Sequence, residues 1–399
     1  MTAFTMNRLS ASRKKSPLER LSHICLFSLA IAFALASGYP ASADPIQIET
    51  LEIGDAGNHP DTNNRGAVSQ TFRMARFEVT NEQYVAFLRA VATLDDPNGL
   101  YNMLMESSDR GGIIRSGSAG AFVYTIKPNF NNKPVGSVSW FDAARFCNWL
   151  HNGQPSGLQL PSTTENGAYD MSLPADQIER ITSAKWFLPT HNEWYKAAYY
   201  DPNNPGADAG GSPDYWLYPT GSDALPAKAI ASSTGDVVNP GTNIANYDKG
   251  ADWNDENGNV TTVGGVLAVS PWGISDLAGN INEMTETLDV PIPANPPAQP
   301  DPLPTRTIRG GDFASPGALM MSPEAFAPGL NMLAEGANIG FRVAARAAPT
   351  ADLNGDGVVN GSDLAVLLVQ WGTKGPADLN SDGVVNGSDL AILLVNWTT

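Results

Sequence analysis

Two twelve-residue stretches near the end of the chain place oxygen-bearing side chains at matching intervals. The first offers Asp352, Asn354, Asp356, Asn360 and Asp363, and the second Asp378, Asn380, Asp382, Asn386 and Asp389. Counted from each opening aspartate, these are positions 1, 3, 5, 9 and 12. Val358 and Val384, at position 7, can add main-chain carbonyls, and Gly357 and Gly383, at position 6, allow the sharp turn that wraps such a loop. Oxygen-only ligands in this number suit a hard divalent cation, and calcium takes roughly six to eight of them. The second set follows the first by 26 residues (352 to 378), in register at every ligand position, which a generic acidic linker would not do.

A short helix must follow each loop to position it. Leu364, Leu367, Leu368 and Trp371 fall at i, i+3, i+4 and i+7, and Leu390, Leu393, Leu394 and Trp397 repeat the pattern. Two such stripes can bury one another, while neither could do so alone. Aspartate closes each loop, and no clear helix enters either one. This combination resembles the type I dockerin repeat, a small all-α, EF-hand-like module. The resemblance implies calcium binding and docking to a cohesin-like scaffold or a cell-surface protein. The partner-recognition pair of that family falls here on Gly361-Ser362 and Gly387-Ser388, where a hydroxyl-rich pair is usual, so the partner's identity stays open.

The other end of the chain reads as an export signal. Arg8, Arg13, Lys14, Lys15 and Arg20 precede an apolar run from Ile24 to Ala36, and Ala41-Ser42-Ala43 offers a cleavage site. The expected product is secreted or surface-held, with no membrane insertion once residues 1–43 are removed. Cys147 is then the one remaining cysteine, so no internal disulfide can form. A net charge of −17 argues against nucleic acid or an anionic membrane as partner.

Between these ends lies one loop-rich domain, 44–346, followed by a linker at 347–351 within the small-residue run Ala344–Ala351, and then the tandem loops at 352–399. Its ordered blocks are Glu78-Val79-Thr80-Asn81, which opens a helix with Thr80 or Asn81 as cap, and Pro134 to Trp140, which leads into the helix Phe141–Leu150. Leu188-Pro189-Thr190 opens another helix, and Gly279-Asn280-Ile281-Asn282-Glu283, Arg309-Gly310-Gly311 and Gly340-Phe341-Arg342 complete the series. Cys147 falls inside the second helix and reads as a buried structural thiol. Pro291–Pro304 reads as an inserted extended loop.

Six blocks in this order resemble the formylglycine-generating enzyme, or sulfatase-modifying factor, family. The resemblance implies an α+β fold of the irregular C-type-lectin-like kind. It also implies structural calcium near Asn246, Asn280 and Glu283, with a buried carboxylate that holds loop amides as the alternative role for Glu283. The family's oxidase chemistry uses copper held by two cysteine thiolates after the Arg-Gly-Gly block. Here those positions are Ser315 and Met320, and neither a hydroxyl nor a neutral thioether reproduces paired thiolates, which argues against copper.

His59, His151 and His191 show no metal-ligand spacing, and no facing carboxylate pair, nucleophile elbow, phosphate loop or zinc motif is legible. Two functions remain. In the first, the domain is a binding or structural module whose aromatic loops (Trp186, Trp194, Trp216, Tyr218, Trp253) line a cleft for a glycan or peptide. In the second, it is a secreted oxidase or other enzyme with diverged chemistry, carried into a polysaccharide-degrading assembly by its tail.

Overall fold

The structure, a computed structural model, describes residues 45–204, 213–289, 304–322, 329–347, 351–379 and 382–398. The export-signal reading of 1–43, the extended-loop reading of 291–303 and the ligand Asn380 lie outside them.

Among the described residues, twelve short strands carry the main domain: β1 (Thr50–Ile53), β2 (Phe72–Ala75), β3 (Ile113–Ser116), β4 (Val123–Ile126), β5 (Trp186–Phe187), β6 (Ala227–Lys228), β7 (Ile244–Ala245), β8 (Asn282–Asp289), β9 (Thr305–Arg309), β10 (Leu330–Asn331), β11 (Ile339–Gly340) and β12 (Ala344–Arg346). One open sheet has the order β1-β2-β12-β5 and a second has β10-β9-β8-β11, with β3-β4 and β6-β7 as separate pairs. The two ends of the domain close on each other, because β12 pairs antiparallel with β2 in the register Ala344 to Met74. The stretch Ala344–Arg346, where the small-residue run Ala344–Ala351 begins, is a sheet strand, and its buried Ala344 stands opposite Met74 and Phe187 in the register.

Among the described residues, three helices of nine or more residues pack on this frame: α1 (Asn81–Val91), α2 (Trp140–His151) and α3 (His191–Tyr199). Each starts with a capping box, Thr80 with Gln83, Ser139 with Asp142 and Thr190 with Glu193, so two of the orphan N–H groups at each start are satisfied reciprocally. Tyr84, Phe87 and Leu88 of α1 meet Phe146 and Trp149 of α2 in one aromatic core. Cys147 lies inside that core, and burial pushes its thiol well above the ordinary range.

The helix-initiating motifs also fix loops. Asn81 donates from Nδ2 to the carbonyls of Phe130, Lys133 and Pro134, which pins the segment leading to α2. A Cβ on Gly112 would lie 2.6 Å from the Asn81 amide, so the loop before β3 needs glycine there.

The C-terminal module holds two helices, α4 (Gly361–Val369) and α5 (Gly387–Val395), and forms its own small core. Ala351, Val359 and Leu367 bury against Ala377, Val385 and Leu393. The repeats interlock through the backbone: Gly372 N–H donates to Val385 O at 2.8 Å, and Thr398 N–H donates to Val359 O at 2.9 Å. Each loop is thus tied to the segment that follows the other repeat's helix. The apolar stripe expected from spacing divides in two. Leu367 and Leu393 are wholly buried and Leu364 and Leu390 half-buried, while Leu368 and Leu394 are 54% and 53% exposed and Trp371 and Trp397 also face solvent. A nine-residue helix can turn only part of its circumference toward one small partner.

Candidate functional site

In the first acidic loop, carboxylate oxygens of Asp352, Asp356 and Asp363 lie within 4.8 Å of one another. Among the described residues this is the one group of three or more His, Cys, Asp or Glu side chains poised to share an ion. The loop is folded by its own carboxylates. Asp352 accepts N–H bonds from Gly355, Asp356 and Gly357, and Asp356 accepts from Val358. Gly357 sits at φ +84° and Gly383 at +97°, in the left-handed region that favours glycine.

The closing aspartate does two jobs. Asp363 is N3 of α4, where its carboxylate accepts from Asn360 N at 2.8 Å, and Asn360 caps the same helix. Asp363 also accepts from Leu353 N and Asn354 N. Burial pushes its carboxyl up, but these N–H donors outweigh it and hold the pKa below the ordinary value. The second loop repeats the arrangement, with Asp389 accepting from Leu379 N and Asn386 N, and Asp378 from Asp382 N and Gly383 N. Gly361-Ser362 and Gly387-Ser388 form the first helical turns, next to these caps.

The residues expected to bind calcium in the main domain are held differently. Glu283 is fully buried, with Oε1 2.6 Å from Arg342 Nη2 and Oε2 accepting from Arg342 Nε at 2.6 Å and from Trp194 Nε1 at 2.7 Å. The buried carboxylate thus holds a guanidinium and an indole. Asn280 Oδ1 accepts from Thr261 N and Asn246 Nδ2, and its Nδ2 donates to Glu78 Oε1. Asn246 Nδ2 also donates to Asn259 O. Burial, and then the neighbouring Asp276, push the Glu78 carboxyl well up. Asn259, a nominal glycosylation match, is itself fully buried here. Glu78 and Arg342 were visible only as members of sequence blocks. Their opposite charges, 264 residues apart (78 to 342), were the available signal.

The turn after β9 carries the two positions that decide the copper question. Gly310 and Gly311 take φ +91° and +73°, and a Cβ on Gly311 would lie 3.3 Å from Ser315 Cβ and 3.6 Å from Met320 Cγ. Ser315 and Met320 therefore flank one glycine. Ser315 Oγ accepts from Asp312 N at 3.0 Å, and Met320 is fully buried with Tyr218, Ala245, Tyr247 and Ala278. An engaged hydroxyl and a lone thioether sealed in an apolar cluster do not reproduce a pair of soft thiolates for Cu(I).

Of the five aromatics expected to line a cleft, three are buried in the core and Trp186 is half-buried. Trp194, Tyr218 and Trp253 are core residues, and Trp216 is half-buried with its indole N–H on Asp201. Arg309 lies over the rings of Trp194, Tyr195 and Tyr199, between 5.1 and 5.9 Å from each centroid, which accounts for part of this aromatic density. His191 stacks on Tyr195, and burial, with Arg309 and Arg65 nearby, lowers its pKa to about 3.

A mixed α/β domain with a cysteine-free turn after β9, joined to a duplicated acidic-loop helical module, defines a two-part modular protein. Residues 48–347 match the sulfatase-modifying factor enzyme 1-like domain, and the chain belongs to that family. Residues 350–395 match the dockerin type I domain. Over 109 residues (27% of the chain), it is 28% identical to the serine/threonine-protein kinase Pkn1 of Chlamydia trachomatis, and the match takes in only 17% of that relative's length. Among solved structures it is similar to Treponema denticola variable protein 1, at 16% identity and TM-score 0.42 over 77% of this chain and 98% of that one. CarF gives 17% and 0.42 over 75% and 99%. PvdO from Pseudomonas aeruginosa gives 18% and 0.35 over 76% and 92%. Among the described residues, no helix is long and apolar enough to cross a membrane.

Proposed function

We propose that this is an exported modular protein whose sulfatase-modifying-factor domain acts as a binding or structural module rather than a copper oxidase. Its dockerin-type tail holds it on a cohesin-like scaffold or cell-surface protein. The observation that carries the reading is the pairing of Ser315 and Met320 around Gly311, one hydrogen-bonded and the other sealed in an apolar cluster. In finer terms, the main domain is read as C-type-lectin-like and the tail as EF-hand-like.

Calcium would be held in the tail by Asp352, Asn354, Asp356, Asn360, Asp363 and the Val358 carbonyl. The second set is Asp378, Asn380, Asp382, Asn386, Asp389 and the Val384 carbonyl. The ion would supply charge neutralisation that lets the loop carboxylates sit side by side, and so would couple loop order to helix order. The partner would meet the exposed side of α4 and α5, near Gly361-Ser362 and Gly387-Ser388.

The test is a Cu(I) titration against a chromogenic chelator, together with turnover of a cysteine-containing sulfatase peptide under oxygen. The expected result is no copper retained and no aldehyde formed. Retained copper with aldehyde formation would overturn the reading and make the domain an oxidase with altered ligands.

A further inference from the structure

On the main domain, far along the chain from the turn after β9, three segments meet around a small polar cavity of about 190 Å³. Asn129, Asn131, Asn132 and Lys133 come from the loop after β4, Thr234 and Asp236 from a tight turn after β6, and Thr262 from the segment after β7. Every lining residue carries a hydrogen-bonding side chain, and none carries an apolar one.

The floor is built on a buried lysine, with the exposed Asp236 at its edge. Lys133 is 2% exposed, and its Nζ donates to Thr262 Oγ1 at 2.5 Å with Asp236 Oδ1 3.6 Å away. Asp236 in turn accepts from the hydroxyls of Thr262 and Thr234. Lys133 Nζ sits 5.1 Å from the centroid of the buried Trp253 ring. Gly235 lets the turn press onto this pair, since a Cβ there would lie 2.5 Å from Trp253 and 2.7 Å from Lys133 Cε.

The rim is also fixed through its backbone, while its side chains are free. Asn131 O accepts from Glu82 N, Asn132 O from Val263 N, and Lys133 O from Asn81 N. Asn129 holds φ +70°, a conformation asparagine tolerates better than most residues. Among the described residues, the side-chain amides of Asn129, Asn131 and Asn132 make no hydrogen bond, and all three are exposed. Three amides with both donor and acceptor capacity therefore stand on a pinned backbone around a floor whose one positive charge is matched by one negative charge.

We infer that this cavity binds a neutral polyhydroxylated ligand, a single sugar ring such as the end of a glycan. Vicinal hydroxyls act as donor and acceptor at once, which matches side-chain amides and a threonine-bridged carboxylate. An anion would meet Asp236 and an overall charge of −17, and only one lysine, already paired, would offset them. An apolar ligand would leave the amides and the floor without partners. At about 190 Å³ the cavity is small, which suits a single ring. The inference rests on reading the domain as a binding module, and it names the ligand class and its place.

The experiment is saturation-transfer NMR on the full chain with a panel of methyl α- and β-hexopyranosides and pentopyranosides. Inorganic sulfate is added as a competitor, and Asn131→Ala/Asn132→Ala is the variant. Both residues are exposed, so the variant should keep its thermal midpoint. Transfer to the ring protons of at least one pyranoside, unaffected by sulfate and weakened tenfold or more in the variant, is the expected result. No transfer from any pyranoside, transfer unchanged in the variant, or displacement by sulfate would each overturn it. Failure here leaves the copper and peptide assays untouched, so loss of this site and loss of the binding-module reading are distinguishable.

Discussion

Arg342 and Glu283 form a doubly bonded ion pair, both wholly buried, with Nη2 to Oε1 and Nε to Oε2 each at 2.6 Å. Arg342 also donates to the carbonyls of Ala75, Arg76 and Ser275, so one guanidinium ties the 75–76 and 275 segments to Glu283. Burial disfavours its charge, but Glu283 more than compensates and keeps the pKa above its ordinary value. Removing one partner leaves the other charged in a dry site, at a cost of roughly 3–5 kcal/mol. Glu283→Gln and Arg342→Met should each lower the urea midpoint strongly. The double variant should lose less than the two single losses added together, and strict additivity would show that the pair is not coupled.

Calcium removal should loosen the tail alone. With excess chelator, hydrogen exchange in peptides covering 351–379 and 382–398 should accelerate, while β2, β12 and α2 keep their protection. Asp352→Ala/Asp378→Ala should exchange quickly with calcium present. Asp363→Ala should weaken α4 by about 1 kcal/mol even without calcium, because it also removes half of the capping box. Equal exchange with and without calcium in the native chain would rule out ion-coupled order.

Docking should depend on the outward side of α4 and α5. Val369 and Val395 are each 85% exposed, so Val369→Lys/Val395→Lys should change stability by no more than about 0.5 kcal/mol. The same variant should lose capture of a purified cohesin domain on a biosensor surface by tenfold or more. Undiminished capture would move the interface elsewhere on the module.

Glu286 gives a signed pH dependence. Burial, opposed by Arg180 and by the Tyr169 hydroxyl, raises its pKa to about 7. The folded state therefore holds this proton more tightly than the unfolded chain, whose glutamate titrates near 4.5. This group's contribution to stability must fall as pH rises from about 4.5 to 7, and level off beyond. Glu286→Gln keeps an acceptor for Tyr169 and abolishes the titration. Its thermal midpoint relative to the native protein should rise across that window, and a constant difference would exclude the shift.

The turn after β9 can be tested by restoration. Ser315→Cys/Met320→Cys places two thiols around Gly311 and should bind about one Cu(I) that the native chain does not bind. If the double variant also binds none, the two positions are not equivalent to the family's cysteine pair.

The helix starts were legible from residues alone, because Thr80, Ser139 and Thr190 each stand three residues before a Gln, Asp or Glu that can reach back, and capping is local chemistry. The two acidic loops were legible for the same reason, since all their oxygen-bearing side chains lie within twelve residues. The helical stripe of the tail was only half legible. Spacing showed that Leu367 and Leu368 share a face, but not that the partner repeat is too small to cover both. The aromatic cleft was misread because composition does not say whether a tryptophan faces a ligand or a core, and Trp194 and Trp253 face the core.

What the sequence determined by itself is what short range can enforce: two acidic loops in register, capped helices, and a turn after Arg309 without cysteines. What only the tertiary structure decided is what distant segments do on meeting. Arg342 claims Glu283, Met320 closes an apolar cluster beside Ser315, and the 129–133, 234–236 and 262 segments meet around a polar cavity. The reason is physical. A local motif fixes a few torsions and hydrogen bonds, whereas burial, pairing and the shape of a cavity depend on contacts between residues tens to hundreds of positions apart, which no spacing rule encodes.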